Sequence, residues 1–379
     1  MTAQLDSIEF TRYRCFRERQ KVEFGRLTLV YGENNSGKSA VVRLPALLAD
    51  SMHQESEGLN SNSELLRGAS TRAVQWRGGL GSEVSPDTEI AVQLKDGDRC
   101  EWILAWEDMK RELGVSKLTL GQVKDGEFDG KEMSPPFSGL LPLSSDSKIK
   151  ELWKKTSWLG TTRVGPSSRG IPLGRKGRIW GDGSMAEVKV LDSQKLRADV
   201  SRFYEATVRQ KIGKESLGGD AERLVLEPTG TASHTVAFGE SGSGLEYMFA
   251  VVTAAESLRL EGGLLIVEEP EAHLHPRLHQ ALAEFLIKVL ADNSTAQILL
   301  ETHSEVFLQA GMDAALPSAL GQQEVAIYWT RAHDDGSASV ERVMLDELGR
   351  PITPQLEEAF STMGVMRKET LRKRYSDAD

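Results

Sequence analysis

The sequence predicts an α/β fold organised around a phosphate-binding loop: a central, mainly parallel sheet with flanking helices, joined to an antiparallel β-rich lobe and a helical lobe. Three stretches predict it. Gly32-Glu33-Asn34-Asn35-Ser36-Gly37-Lys38-Ser39 is a complete G-x-x-x-x-G-K-S loop between the apolar run 27–31 and a helix-forming run that opens at Ala40. The apolar run 263–267 reads as a buried strand and ends in consecutive carboxylates, Glu268 and Glu269. A second buried-strand run, 297–300, leads into Glu301-Thr302-His303-Ser304.

Taken in order, residues 7–10 and 20–24 read as strands flanking the basic stretch Arg12-Tyr13-Arg14-Cys15-Phe16-Arg17. Residues 51–63 are polar without an apolar period and read as a loop. Runs 89–94 and 100–106, joined across Asp96-Gly97, predict a β-hairpin, because Asp-Gly supplies the positive φ of such a turn. The run 117–123 extends a β-rich lobe, 134–147 is irregular, and 147–158 reads as a short helix. The following stretch is rich in glycine and arginine, with Arg169, Arg175, Lys176 and Arg178, and reads as a loop. Two roles stay open for it: a phosphate or nucleic-acid contact, or a basic loop that is solvated or paired with the protein's own carboxylates. Residues 192–212 predict an amphipathic helix, and 224–227 and 235–238 short strands. No heptad array or internal repeat is evident.

Composition bounds the function. With 379 residues the chain holds one large domain or two. No apolar run approaches the roughly 20 residues of a membrane span, the start lacks the features of a signal peptide, and Cys15 and Cys100 suggest no disulfide framework. A cytoplasmic protein with no membrane partner is expected. The net charge of −10 argues against a protein that coats nucleic acid with its whole surface, while leaving room for a local basic patch that touches DNA.

The motifs specify chemistry. The glycines let successive N–H groups turn toward phosphate oxygens at the positive end of the following helix. Lys38 is expected to reach the β- and γ-phosphates of ATP, and the Ser39 hydroxyl to hold Mg²⁺. Glu268 is expected near that metal through water, and Glu269 to orient or activate the water that attacks the γ-phosphate. His303, at the end of a core strand, is placed to donate a hydrogen bond to the γ-phosphate. Glu240-Ser241-Gly242-Ser243-Gly244 precedes a helical run from 245 to 260, so glycine and serine again stand at a helix N-terminus. His273, His275 and His279 are read as structural and not as a zinc set, because Pro276 opens the helix to about 291 and leaves His275 at its cap.

Together, Asn-x-Ser-Gly-Lys-Ser in the phosphate loop, Glu-Glu-Pro-Glu-Ala-His-Leu-His-Pro from Glu268 to Pro276, and Thr-His-Ser from Thr302 to Ser304 resemble the ABC-type ATPase heads of the RecF, SMC and OLD families, particularly the AAA ATPases close to OLD. Arg12-Tyr13-Arg14-Cys15-Phe16 is similar to that group's N-terminal Asn-Phe-Arg-x-Phe, whose arginine lies near the phosphates. The resemblance frames residues 7 to 304. It implies that Arg14 joins Gly32 through Ala40 in binding nucleotide, and that Ser241, Gly242, Ser243 and Gly244 are a blurred signature that completes the ATP site of another copy. A homodimer or higher homo-oligomer follows from it, as does ATP hydrolysis gating DNA or a separate nuclease or toxin, in defence against phage or in genome maintenance. Three departures stand out. Glu268 replaces the usual Asp, the signature serine is either Ser241 or Ser243, and the glutamine loop is unclear, with Gln75 a candidate.

On this reading residues 1–379 form one ATPase domain: 1–50 hold the first strands, phosphate loop and first helix, 51–240 inserted β-rich and helical lobes, 241–310 the signature, carboxylate strand and switch histidine, and 311–379 terminal strands with a basic helix. Residues 324–329 and 339–344 read as those strands. The run 366–375, with Arg367, Lys368, Arg372, Lys373 and Arg374, reads as a basic helix face that is solvated or meets nucleic acid or an acidic partner. The length after His303 is too short for the nuclease domain that follows the head in OLD-type proteins, so an effector on a separate chain is expected.

Overall fold

A computed structural model describes residues 3–52, 57–76, 87–142, 147–172, 177–218, 221–230 and 234–352. Arg175, Lys176 and the run 366–375 lie outside the described residues. The first third supplies β1 (Leu5–Thr11), β2 (Gln20–Glu23), β3 (Leu27–Gly32), α1 (Lys38–Ser51), β4 (Asp87–Leu94), β5 (Asp98–Glu107), β6 (Glu112–Lys124) and β7 (Glu127–Met133). All of these strands except β3 form a six-stranded antiparallel sheet in the order β2-β1-β4-β5-β6-β7. The β4–β5 connection turns at Gly97 with φ 92°, as the Asp-Gly pair requires.

The middle supplies β8 (Phe137–Ser138), β9 (Leu141–Pro142), α2 (Lys148–Lys154), β10 (Thr156–Leu159), β11 (Ile171–Pro172), β12 (Trp180–Gly181), α3 (Met185–Asp192), α4 (Gln194–Val208), β13 (Gln210–Gly218), β14 (Ala221–Pro228) and β15 (Val236–Ala237). The last third supplies α5 (Ser243–Glu261), β16 (Gly263–Glu268), α6 (Pro276–Asp292), β17 (Ala296–Glu301), α7 (Glu305–Ala314), β18 (Val325–Ala332) and β19 (Ala338–Arg342). The central sheet has the order β12-β10-β16-β17-β3-β18-β19, parallel throughout except for the final β18–β19 pair.

Side-chain alternation explains why this sheet separates two cores. On β16, Leu265 and Val267 join α3 to α7 on one face, while Leu264 and Ile266 join α1, α2 and the antiparallel sheet on the other. Strands β17 and β3 follow the same rule, with Ile298, Leu300 and Leu29 on the first face and Leu299 and Val30 on the second. The two sheets are stitched together by side chains. Gln297 on β17 accepts from the Leu5 N–H at 2.7 Å and donates to Leu5 O at 2.8 Å and Gly25 O at 3.2 Å. Tyr328 on β18 bonds both the N–H and the carbonyl of Glu23.

Three expectations need correction. The helix expected over 147–158 ends at Lys154, and Thr156–Leu159 is a parallel strand beside β16. Four residues are too few to show a period, and only the neighbouring strand makes them extended. The helix expected over 192–212 starts after Ser193, whose side chain accepts from the Leu196 N–H, and stops at Arg209 with φ 57°, after which the chain continues as β13. The span 51–240 is not wholly inserted, because β10 and β12 belong to the central sheet.

Candidate functional site

The phosphate loop leaves β3 and enters α1 at its open N-terminus. Gly37 stands at the N-cap with φ 95° and offers no side-chain cap, so the first helical N–H groups are left for a ligand. A Cβ at Gly37 would lie 2.7 Å from the Phe16 ring and 2.8 Å from the Cys15 sulfur, so only glycine fits there. The aromatic cluster Phe10, Tyr13 and Phe16 therefore sits directly under the loop, and the Tyr13 hydroxyl donates to Ala40 O at 3.0 Å. This packing brings Arg14 into the cleft, with its Nε buried and without a hydrogen-bond partner. Gln75, the glutamine-loop candidate, is buried and pairs its backbone with Tyr13, next to Arg14.

The cleft holds about 580 Å³ and is lined by Arg14, Asn34, Asn35, Gly37, Lys38, Ser39, Ala40, Glu269, Glu301 and His303 on one side and by the β18–β19 turn, including His333, on the other. Lys38 is folded onto its own loop, donating to Gly32 O at 2.9 Å and Glu33 O at 2.5 Å. Its burial lowers the ammonium pKa against the pull of Glu301, Glu269 and Glu33. Ser36 steadies the loop through Glu33 O at 2.7 Å and Thr330 Oγ1 at 2.5 Å.

The carboxylate beside Ser39 is Glu301 and not Glu268. Ser39 Oγ donates to Glu301 Oε1 at 2.6 Å. Glu268 is fully buried and both its oxygens are taken: Arg43 Nε donates to Oε1 at 2.7 Å, Arg43 Nη2 bonds Oε2, and Trp158 Nε1 donates to Oε1 at 3.0 Å. Geometry explains the exchange. Ser39 and Arg43 are one turn apart on the same face of α1, and Glu301 and Glu268 are register partners on adjacent parallel strands. The helix therefore sets its hydroxyl over β17 and its guanidinium over β16. Sequence alone does not pair Ser39 with Glu301, because which strand lies under each turn of α1 is set by the sheet order.

Glu269, Glu301 and His303 offer ligand atoms within 4.8 Å of one another, and among the described residues this is the group able to hold a metal ion. Glu301 Oε2 is buried with no hydrogen-bond partner, and burial pushes its carboxyl up to about 7, against the hydrogen bond from Ser39. A buried, unpartnered carboxylate oxygen beside a serine hydroxyl suits a hard, oxygen-preferring dication, so the residues fit Mg²⁺. Burial, and then Lys38, lower the His303 pKa below its ordinary value, which leaves a neutral imidazole at pH 7.

Glu271 holds the Thr302–His303 segment. Its Oε1 accepts from Thr302 Oγ1 at 2.8 Å and from the His303 N–H at 2.7 Å. His275 is the N-cap of α6, accepting from the Arg277 N–H at 3.3 Å, and His279 bonds Ser304 Oγ and Leu274 O at 3.1 Å each. His273 lies 4.5 Å from the Tyr247 ring. None of the three joins a metal group among the described residues. Of the basic loop, Arg178 pairs with Asp50 at 3.3 Å and lies 3.5 Å over the Trp180 ring, which is the self-paired alternative, while Arg169 is exposed.

The serine-glycine turn stands elsewhere. Gly242 caps α5, Gly242 and Ser243 are exposed, and Ser241, Gly242, Ser243 and Gly244 do not line the phosphate cleft. Gly244 lies against the backbone of His273, where a Cβ would come within 2.6 Å of the carbonyl oxygen.

A phosphate loop at the carboxyl edge of this parallel sheet, facing carboxylates and a histidine, belongs to a fold of the kind seen in ABC-type ATPase heads. Comparison with known proteins agrees. A family model described as an AAA domain, putative AbiEii toxin of a type IV TA system, matches residues 196–309. An SMC head bound to the C-winged helix domain of ScpA is similar in fold, with TM-score 0.59, 11% identity, and coverage of 91% of this chain and 98% of that one. The SMC head of Pyrococcus furiosus, solved with an extended coiled coil and the C-terminal domain of ScpA, matches with TM-score 0.57 and 11% identity over 96% of this chain and all of that one. The SMC head of Thermotoga maritima matches with TM-score 0.51 and 9% identity over 90% of this chain and all of that one. No curated protein matches the sequence. Among the described residues no helix is long and apolar enough to cross a membrane.

Proposed function

We propose that the protein is a Mg²⁺-dependent ATP hydrolase that dimerises around ATP and uses its nucleotide state to gate a separate effector protein. The observation that carries the hydrolase reading is the convergence of Glu269, Glu301 and His303 beside Lys38 and Ser39. Lys38 leaves its loop carbonyls for the β- and γ-phosphates, and the uncapped N–H groups of α1 bind the same oxygens. Mg²⁺, held by Ser39 and Glu301, would neutralise charge on the transferring phosphate. Glu269 orients the attacking water and accepts its proton, and the neutral His303 donates a hydrogen bond to the γ-phosphate.

The exposed start of α5, which does not line its own chain's cleft, supports a composite site in which Ser241–Gly244 adds N–H donors to ATP held by a second copy. The toxin system named by the matching family model favours a toxin or nuclease as the gated partner, and defence against phage as the setting. Steady-state phosphate release tests the chemistry. Glu269→Gln is expected to retain ATP and to slow release at least about 100-fold. A variant that binds ATP and turns over at the wild-type rate would instead leave a scaffold whose nucleotide is structural. Lys38→Ala is expected to lose binding of labelled ATP, and retained affinity would refute its role.

A further inference from the structure

In an extended strand neighbouring side chains point to opposite faces. Glu268 points to the α1 face, where Arg43 holds it, so an extended continuation would send Glu269 to the other face, away from Lys38 and Ser39. Instead Glu269 takes φ 45°, in the left-handed region, and its carboxylate joins Glu301 and His303. For a residue with a Cβ this conformation costs about 1–2 kcal/mol, so something must hold it.

The holding group is Arg163. Strand β10 accompanies β16 only as far as Leu159 and Val267, and then turns away at Gly160. Beyond that point Arg163 reaches back: Nη1 donates to Gly160 O at 2.9 Å and Glu268 O at 2.7 Å, and Nη2 donates to Glu269 O at 2.7 Å. On the opposite edge the Glu269 N–H donates to Glu301 O at 2.8 Å, continuing the β17 ladder. The turn is thus gripped through carbonyls on one side and an N–H on the other. Arg163 is only 2% exposed, and Tyr247 of α5 covers it, with the guanidinium 5.8 Å from the ring centroid.

We propose that Arg163 is a positioning residue for hydrolysis: it holds the Glu268–Glu269 turn left-handed so that the Glu269 carboxylate faces the γ-phosphate, and it touches neither phosphate nor nucleic acid itself. This rests on the reading of Glu269 as the residue that orients the attacking water. A planar guanidinium spans three carbonyls, and an ammonium on a different stem cannot.

The test is a double-mutant cycle of Arg163→Lys and Glu269→Gln, read by phosphate release, by affinity for a fluorescent ATP analogue and by thermal melting. Arg163→Lys keeps the charge and is the variant chosen to fold. Arg163→Lys is expected to lower kcat 10–100-fold with analogue affinity within about 3-fold of wild type, and to add no further loss in the Glu269→Gln background. Loss of analogue affinity in parallel with kcat, or an equal loss in both backgrounds, overturns the proposal, as does a wild-type rate. If Arg163→Lys melts at room temperature, Tyr247→Leu, which uncovers the guanidinium, is put through the same cycle under the same criteria. A wild-type rate in Glu269→Gln overturns the hydrolysis reading and the positioning role with it, whereas a slow Glu269→Gln beside an unaffected Arg163→Lys overturns the positioning role alone.

Discussion

Glu301 is a buried carboxyl with one oxygen left without a hydrogen-bond partner. Burial raises its pKa from an ordinary 4.5 to about 7, so the folded state binds a proton more tightly than the unfolded chain. The sign follows. Stability is full below the unfolded value and falls as pH rises through the folded one, a loss of up to roughly 3 kcal/mol at 1.36 kcal/mol per unit. Glu301→Gln is therefore expected to raise the melting temperature of the nucleotide-free protein at pH 8, with the gain vanishing near pH 4.5, and to weaken Mg²⁺-dependent ATP binding. Calorimetry at the two pH values checks the first part, and titration of nucleotide with and without Mg²⁺ the second. Arg43 and Glu268 are the opposite case. Both are buried and satisfied, so truncating Arg43 would strand a charge at a cost of about 3–5 kcal/mol.

At the level of elements, α5 is exposed at its start and buried along its middle. Its first turn is exposed at Gly242 and Ser243, while the run from Met248 to Ala255 is buried in the core that also receives Leu265 and Val267 of β16. Such a helix is a rigid mount for an N-terminus that faces outward. Ser243→Arg is expected to abolish ATP-dependent dimerisation of the Glu269→Gln protein, measured by sedimentation, while monomer affinity for ATP stays within about 3-fold because the turn is not part of its own chain's cleft. A dimer that survives the substitution would place the interface elsewhere.

Across the whole molecule the phosphate loop lies where two sheets meet, and their register matters to the site. Arg14 and Phe16 belong to the antiparallel side, while Lys38, Glu301 and His303 belong to the parallel one. Gln297 imitates a strand for Leu5, satisfying one N–H and two carbonyls in a buried seam. Gln297→Ala leaves these groups unpaired and is expected to cost about 2–4 kcal/mol, measured by urea unfolding.

Local pattern by itself determined the phosphate loop, the buried strands that end at Glu268 and Glu301, the cap at His275 and the Asp-Gly hairpin. Each is written in residues adjacent along the chain, where steric demands and periodicity act. Only the tertiary structure decided which carboxylate meets Ser39, because that depends on which strand lies under each turn of α1. It also decided that Thr156–Leu159 is a strand and that Arg163 grips a turn about a hundred residues away, since β10 and its returning arginine acquire their roles from β16, which is distant in sequence and adjacent in space.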